Sequence, residues 1–439
     1  MKTYFQNIVD LIANKLSKNE KFSTWFSGEN LDYTRFNHAN VRQAGSVHQQ
    51  FIEIDLIDGA RHANSYLGLS GQLGADSEKI TNVLNMLRQQ IKASDDDPYL
   101  MVNEANNSSH FEDNNQIDKF NIVENILINS QGLDLVGSYI GGPIYKGFAS
   151  SSGQVNWFHK SSFVIDTSIY HSGDKAIKQS YCDTSFNKDI FKQKVAEARA
   201  GLELFNQPSH TIKPGAYRVY FSPTAVNEIL GMINWGGFSR KSLEVKSSPL
   251  MPLWEAKKSL AKTFSLSENT KNGVGPHFQG QGFIKKDVIE IIKHGQLKNT
   301  LISPKTAKEY RLDHNGADDS EQMTAIEMAA GNLARADIMA TLGDGLYINN
   351  LWYLNFSDRQ HGCLTGMTRF FSYVVKNGQP LAPFSVMRFD DSIYRIFGEN
   401  LASITKEREL IIDNGSYEER STSCSLLPGI IVNDVKFTL

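Results

Sequence analysis

With 439 residues, 40% of them hydrophobic and 10% aromatic, the chain is long enough for two or three domains with ordinary globular cores. Its net charge of −3 comes from nearly balanced acids and bases without a basic block, which argues against nucleic acid as a direct partner. No stretch approaches the roughly 20 apolar residues of a membrane span, the start lacks the order of a secretory leader, and Cys182, Cys363 and Cys424 form no CxxC pair, so a reducing cytoplasm is expected.

In chain order, Met1 to Leu16 alternates apolar and charged residues as an amphipathic helix does. Phe22 to Phe26, Leu31 to Arg42, Val47 to Asp58 and Arg61 to Leu69 are rich in aromatic and β-branched residues and are broken by Gly28, Gly45 and Gly59. They predict an antiparallel meander with a tight turn at Asp58-Gly59. Ile80, Val83, Leu84, Leu87 and Ile91 then recur at helical spacing behind Asp76 and Ser77, either of which can cap. Residues 1–94 thus read as an N-terminal α+β module.

Residues 95–116 form a polar, acidic connection containing Asp95-Asp96-Asp97-Pro98 and Asn106-Asn107-Ser108-Ser109. No Gly-centred ligand spacing accompanies these acids, so they predict a solvated link and not a metal loop. A middle α+β segment, 117–212, follows, with a helix over Asp118 to Asn129 and strands at Leu133 to Tyr145, Gly153 to Phe158 and Ser161 to Tyr170. It ends in a long helix near Lys188 to Phe205, whose Ile190, Phe191, Val195, Ala198 and Leu202 share one side. Glycine-rich turns then mark Gly273-Val274-Gly275-Pro276, Gly280-Gln281-Gly282 and His294-Gly295.

None of the eleven histidines precedes a glutamate and no two lie three to five residues apart, so every histidine-pair zinc signature fails. The strand-like run Ala216 to Phe221 leads into Ser222-Pro223, a good helix start with serine as N-cap and proline at the first helical position. Asp358, Arg359, His361 and Cys363 form the one compact cluster of catalytic residue types. A cysteine hydrolase would need the thiol and imidazole to pair, which spacing alone does not establish. Asn355, Ser357, Thr365 and Thr368 suit hydrogen bonding to an extended peptide, whereas Met367 and Phe370 read as core. Arg359 and Arg369 either fix a peptide carboxylate or carbonyl through the guanidinium fork or tie down their own loop through a carboxylate such as Asp358.

The stretch Gly345 to Phe371, GLYINNLWYLNFSDRQHGCLTGMTRFF, resembles the C-terminal signature of the TldD/PmbA family, bacterial and archaeal proteins linked to peptide maturation and proteolysis. Gly275-Pro276-His277-Phe278 through Gly295-Gln296-Leu297, Met387-Arg388-Phe389-Asp390-Asp391, and Leu427-Pro428-Gly429-Ile430 to Leu439 match in the same order. The resemblance implies an α+β fold, with an N-terminal half of helices and antiparallel strands before a larger strand-rich domain, 213–439, that holds a peptide cleft.

Such proteins usually act as two related subunits, one bearing a zinc-binding HExxxH helix and one, the PmbA or TldE type, lacking it. Laid on HExxxH, this chain has Ser222, Pro223 and Asn227 where the ligands and base would stand. Cys424 lies too close to the final Leu427-Pro428 strand to match the family's ligand cysteine. The resemblance therefore implies a non-catalytic subunit without its own metal, paired with a zinc-bearing TldD-type partner or with itself, and acting on peptides. The alternatives are a self-sufficient hydrolase using Cys363 or an unrecognised metal site, and a peptide- or protein-binding module without proteolysis.

Overall fold

The structure is a computed structural model that describes residues 1–439 except 105–107, 114, 174 and 439. The Asn106-Asn107 pair of the polar connection and the terminal Leu439 fall outside the described residues.

Two long strands, Glu20–Asn37 and Asn40–Asp58, open the first sheet. Gly28 and Gly45 do not break them as expected. Each sits in register inside the ladder, and the missing Cβ of Gly45 leaves room for the Tyr33 ring, which a Cβ would approach to 2.7 Å. The turn falls instead at His38 and Ala39, both at positive φ (49° and 53°), the geometry of a two-residue hairpin loop that neither residue type announces. The next hairpin, to Arg61–Gly68, turns at Gly59-Ala60 with Gly59 at φ 64°.

The sheet continues through Asp134–Ser150, Val155–Ser172 and Lys175–Asp183, because Glu20–Asn37 pairs along most of its length with Asp134–Ser150. Residues 1–94 and 117–212 therefore share one seven-stranded sheet and do not fold as separate layers. The strand Lys175–Asp183 has no counterpart in the sequence reading. Helices Lys2–Ala13 and Leu73–Ala93 bury Phe5, Ile8, Ile12, Ile80, Leu84 and Leu87 against one stretch of the sheet. Helices Lys119–Asn129 and Lys188–Leu204, capped by Asp118 and Asn187, cover another. Neither Asp76 nor Ser77 is the N-cap. Helix Leu73–Ala93 starts earlier, and the fully buried Asp76 carboxylate accepts from Ser70 N (2.9 Å) and Tyr4 Oη (2.6 Å), tying the two helices' entry segments together.

The second sheet has eleven strands. Five of them close on themselves: Gly215–Phe221 pairs with Gly345–Asp358, then Cys363–Lys376, Arg388–Ser392 and Cys424–Phe437, which returns to Gly215–Phe221. Helix Pro223–Asn234 buries Ala225, Val226, Ile229, Leu230 and Ile233 in the core these strands share. A helix apolar on nearly all sides belongs inside. The α+β expectation, with a strand-rich C-terminal part, holds.

Residues 413–423, joining Leu401–Ile412 to Cys424–Phe437, leave the second sheet and lie on the first. The buried Arg420 pairs with the buried Glu29 (2.9 Å) and donates to Ser162 O and Gly142 O. Glu419 accepts from Lys146 (2.8 Å) and from Ser27. Such a network holds the halves in one arrangement because each charge taken from water has a partner. No helix among the described residues is long and apolar enough to cross a membrane.

Candidate functional site

At the start of helix Pro223–Asn234, Ser222 Oγ accepts from Ala225 N (3.2 Å), as an N-cap does. The same hydroxyl donates to Asn349 O (2.6 Å), so the cap also ties the helix to strand Gly345–Asp358. Pro223 occupies the first helical position and is buried. The one donor of the Ser222 hydroxyl and one of its two lone pairs are used inside the fold.

Strand Gly345–Asp358 pairs with Gly215–Phe221 only over Leu346 to Ile348. Beyond Ile348, no strand among the described residues pairs with that edge. Here the hairpin is irregular, with register shifts at Ile348/Asn350 and Trp352/Asn355 and with Tyr353 and Phe370 at φ 50° and 54°. These bulges turn Trp352, Tyr353 and Met367 outward. Met367 is 38% exposed, against its expected place in the core.

The polar residues of the hairpin divide. Asn355 and Ser357 are exposed, and among the described residues the Asn355 side chain accepts only from Phe356 N, next in the chain. Arg369 has no carboxylate partner among the described residues and lies over Trp352 (4.2 Å) and Phe370 (5.2 Å). Thr368 is buried and its Oγ1 accepts from Met387 N (3.0 Å), so it joins two strands and does not face a ligand. Thr365 accepts from Arg388 Nε (3.0 Å). Arg359 donates to Ser247 O (2.9 Å) and Trp235 O, and stacks between the Trp235 and Phe356 rings. It holds the end of the buried helix, through backbone carbonyls and not through Asp358.

Asp358 instead engages His361, accepting from its backbone N–H and lying 2.7 Å from Nδ1. The Cys363 thiol donates to His361 O, and among the described residues it makes no hydrogen bond to the ring. Burial, with Asp358 and Asp391 nearby, pushes the thiol pKa up, opposite to what activates a nucleophile.

Between the helix and the first sheet lies a group that spacing does not reveal. Lys178 Nζ pairs with Asp166 Oδ2 (3.2 Å), which also accepts from Asn414 Nδ2 (3.0 Å), while Asp166 Oδ1 is buried without a partner. Glu228, next to Asn227 on the helix, has its carboxyl pKa raised by burial, offset in part by Lys178. Lys178 also lies 5.8 Å from the Phe370 ring centroid, so the group adjoins the irregular hairpin.

Residues 214–439 match the family model described as the PmbA/TldA metallopeptidase C-terminal domain. The chain belongs to the PmbA/TldD family. Three solved structures share its fold: TldE from Thermococcus kodakarensis (12% identity, 99% of this chain and 100% of that chain, TM-score 0.78), a candidate modulator of a DNA gyrase from Thermotoga maritima (12%, 99% and 100%, 0.76), and another from Bacteroides thetaiotaomicron (13%, 100% and 98%, 0.73). No curated protein matches the chain.

For a family described as metallopeptidases, zinc is the implied metal, and the residues at the expected positions do not fit it. Proline has no donor, the Ser222 hydroxyl is committed to the cap, and an asparagine amide is a poor zinc ligand. Cys424 pairs with Ala325, whereas Phe221 pairs with Ile430 on the same strand, which puts the thiol about 20 Å from the helix start at 3.3 Å per residue. Its pKa is pushed up to about 11 by burial. Among the described residues no group of three or more His, Cys, Asp or Glu side chains is arranged to hold a metal ion.

Proposed function

We propose that this chain is the non-catalytic, TldE/PmbA-type subunit of a TldD/TldE-like zinc peptidase pair in the cytoplasm, acting in proteolysis and peptide maturation. The observation that carries the reading is the helix start, where Ser222 caps the helix and ties it to Asn349 O, so that Ser222, Pro223 and Asn227, the residues that the family resemblance lays on the zinc motif, include no histidine. Zinc and the hydrolytic chemistry reside in the partner. This chain contributes a wall of the chamber and holds peptide along the unpaired edge beyond Ile348. An open edge offers backbone donors and acceptors to an extended chain whatever its sequence.

The partner seat in this reading is the exposed surface of Trp352, Tyr353, Met367 and Arg369, continued by Trp235 beside Arg359. Aromatic residues, Met and Arg are the types enriched at protein interfaces. The test is co-expression with a TldD-type chain, followed by metal analysis of the pair and of each subunit. The expected outcome is a stable pair whose zinc and peptidase activity are lost when the partner's zinc helix is mutated. About one tightly held zinc in this chain alone, with activity lost on chelation, overturns it.

A further inference from the structure

A cleft of about 160 Å³ opens at the other end of the first sheet, where the C-terminal domain meets it. One water needs only about 10–15 Å³, so the space admits a small organic molecule. It is remote from the helix start. Its floor is a row across three adjacent strands, Asp55, Ser23 and Ser150, which face each other in register. Lys178, beside the helix, is paired through Ser168 with Val136, at the opposite end of the strand that carries Ser150.

The walls carry both signs of charge. On one side His62 lies 3.0 Å from Asp55 and 3.7 Å from Asp97. On the other, Lys305 and Asp319 come from the C-terminal domain. Asp319 accepts from Gln281 (3.0 Å), but Lys305 makes no hydrogen bond or ion pair among the described residues. Neither does the Ser23 hydroxyl. Ile57, Met101 and Phe148 supply apolar wall between these groups. The wall is built closely: Gly282, at φ 85°, lies against the Phe148 ring where a Cβ would come to 2.2 Å, and its carbonyl accepts from Asn103 (3.0 Å) and Gln154 (2.8 Å).

We propose that this cleft binds a small zwitterion, a free α-amino acid or a very short peptide, with its ammonium at Asp55 and Ser23 and its carboxylate at Lys305. The acids outnumber the cations, so an added ammonium is favoured at the floor, and Lys305, near Asp319 but without a hydrogen bond or salt bridge among the described residues, stands across the cleft for an added carboxylate. Burial raises the carboxyl pKa values of Asp55 and Asp319, His62 and Lys305 only partly offsetting it, as for carboxylates short of positive neighbours. The apolar wall suits an aliphatic or aromatic side chain. The inference does not rest on the peptidase reading.

The experiment is calorimetric titration of the full chain with each of the twenty free amino acids and with Ala-Ala. At least one is expected to bind with a Kd below about 1 mM. For the tightest, the analogues lacking the carboxylate or the ammonium should each bind at least about tenfold more weakly, a 1.4 kcal/mol difference. Lys305→Gln, at a side chain with no hydrogen bond or salt bridge among the described residues, should weaken the zwitterion by a similar factor and leave the decarboxylated amine unchanged. Asp55→Asn should do the reverse for the deaminated acid, with the melting curve checked beside it. Absence of binding by every probe, or affinity indifferent to Lys305→Gln, overturns the proposal.

Discussion

The strap of residues 413–423 and the outer half of the hairpin Gly345 to Lys376 are both irregular, polar and arginine-bearing, yet they differ in where their polar groups go. On the strap, Arg420 has three acceptors, and Glu419 and Asn414 each have partners on the first sheet. On the hairpin, among the described residues, the Arg369 side chain has only ring faces, and the side chains of Asn355 and Ser357 make no hydrogen bond to another segment. A polar residue satisfied from inside holds the fold together. One left to solvent is available to a ligand or partner.

The largest test of this contrast is Arg420→Ala, which leaves Glu29 buried and unpaired and should cost about 3–5 kcal/mol in urea denaturation. Replacing both partners, Arg420→Met with Glu29→Leu, should recover much of that loss. If Arg420→Ala alone costs under about 1 kcal/mol, the strap is no staple.

Arg359→Ala comes next. Loss of its bonds to Ser247 O and Trp235 O should lower stability by about 1–2 kcal/mol. Arg369→Ala should change stability by less than about 0.5 kcal/mol while weakening peptide capture or partner binding in a pull-down. Equal stability losses for the two would erase the distinction, within the hairpin, between an arginine satisfied from inside and one left to solvent. Ser222→Ala should cost about 1 kcal/mol, typical of a lost cap, with turnover of the assembled pair unchanged. Abolished turnover at unchanged stability would make Ser222 functional.

The smallest effect is expected at Glu228. A carboxyl whose folded pKa is raised contributes stability that is present below its unfolded pKa and fades as pH rises through the folded value. Glu228→Gln should therefore flatten the melting temperature profile above the ordinary glutamate range and raise the midpoint at neutral pH. A profile identical to that of the unmodified chain would mean the carboxyl is solvated.

What the sequence discloses follows the range of the forces involved. The cap at Ser222, the helix Lys188–Leu204 and the turn at His294-Gly295 obey rules spanning a few residues, and the structure has them where spacing puts them. The hairpin turn at His38-Ala39 was not legible because the pair lacks the Asn-Gly or Asp-Gly chemistry that announces a two-residue loop. Thr368 and Arg359 look alike in sequence as polar residues among aromatics, but their partners, Met387 N and Trp235 O, lie outside the segment. The Glu29–Arg420 pair joins residues 391 apart, and the grouping of Lys178, Asp166, Asn414 and Glu228 needs both sheets in place. No local pattern encodes such meetings.

The closed circuit of strands also bears on how the molecule is made. Gly215–Phe221 lies beside Cys424–Phe437, its partner from the far end of the domain, with Phe389 pairing Phe437 on that strand's other side. At a synthesis rate of about 5–20 residues per second, roughly 200 intervening residues occupy the ribosome for some 10–40 s. Throughout that interval the strand Gly215–Phe221 has an open edge and the apolar helix Pro223–Asn234 has no finished core to enter. A nascent chain at that stage exposes the kind of apolar surface and strand edge that invites aggregation, and one truncated before Cys424 would leave that edge free to pair with its neighbours on the polysome.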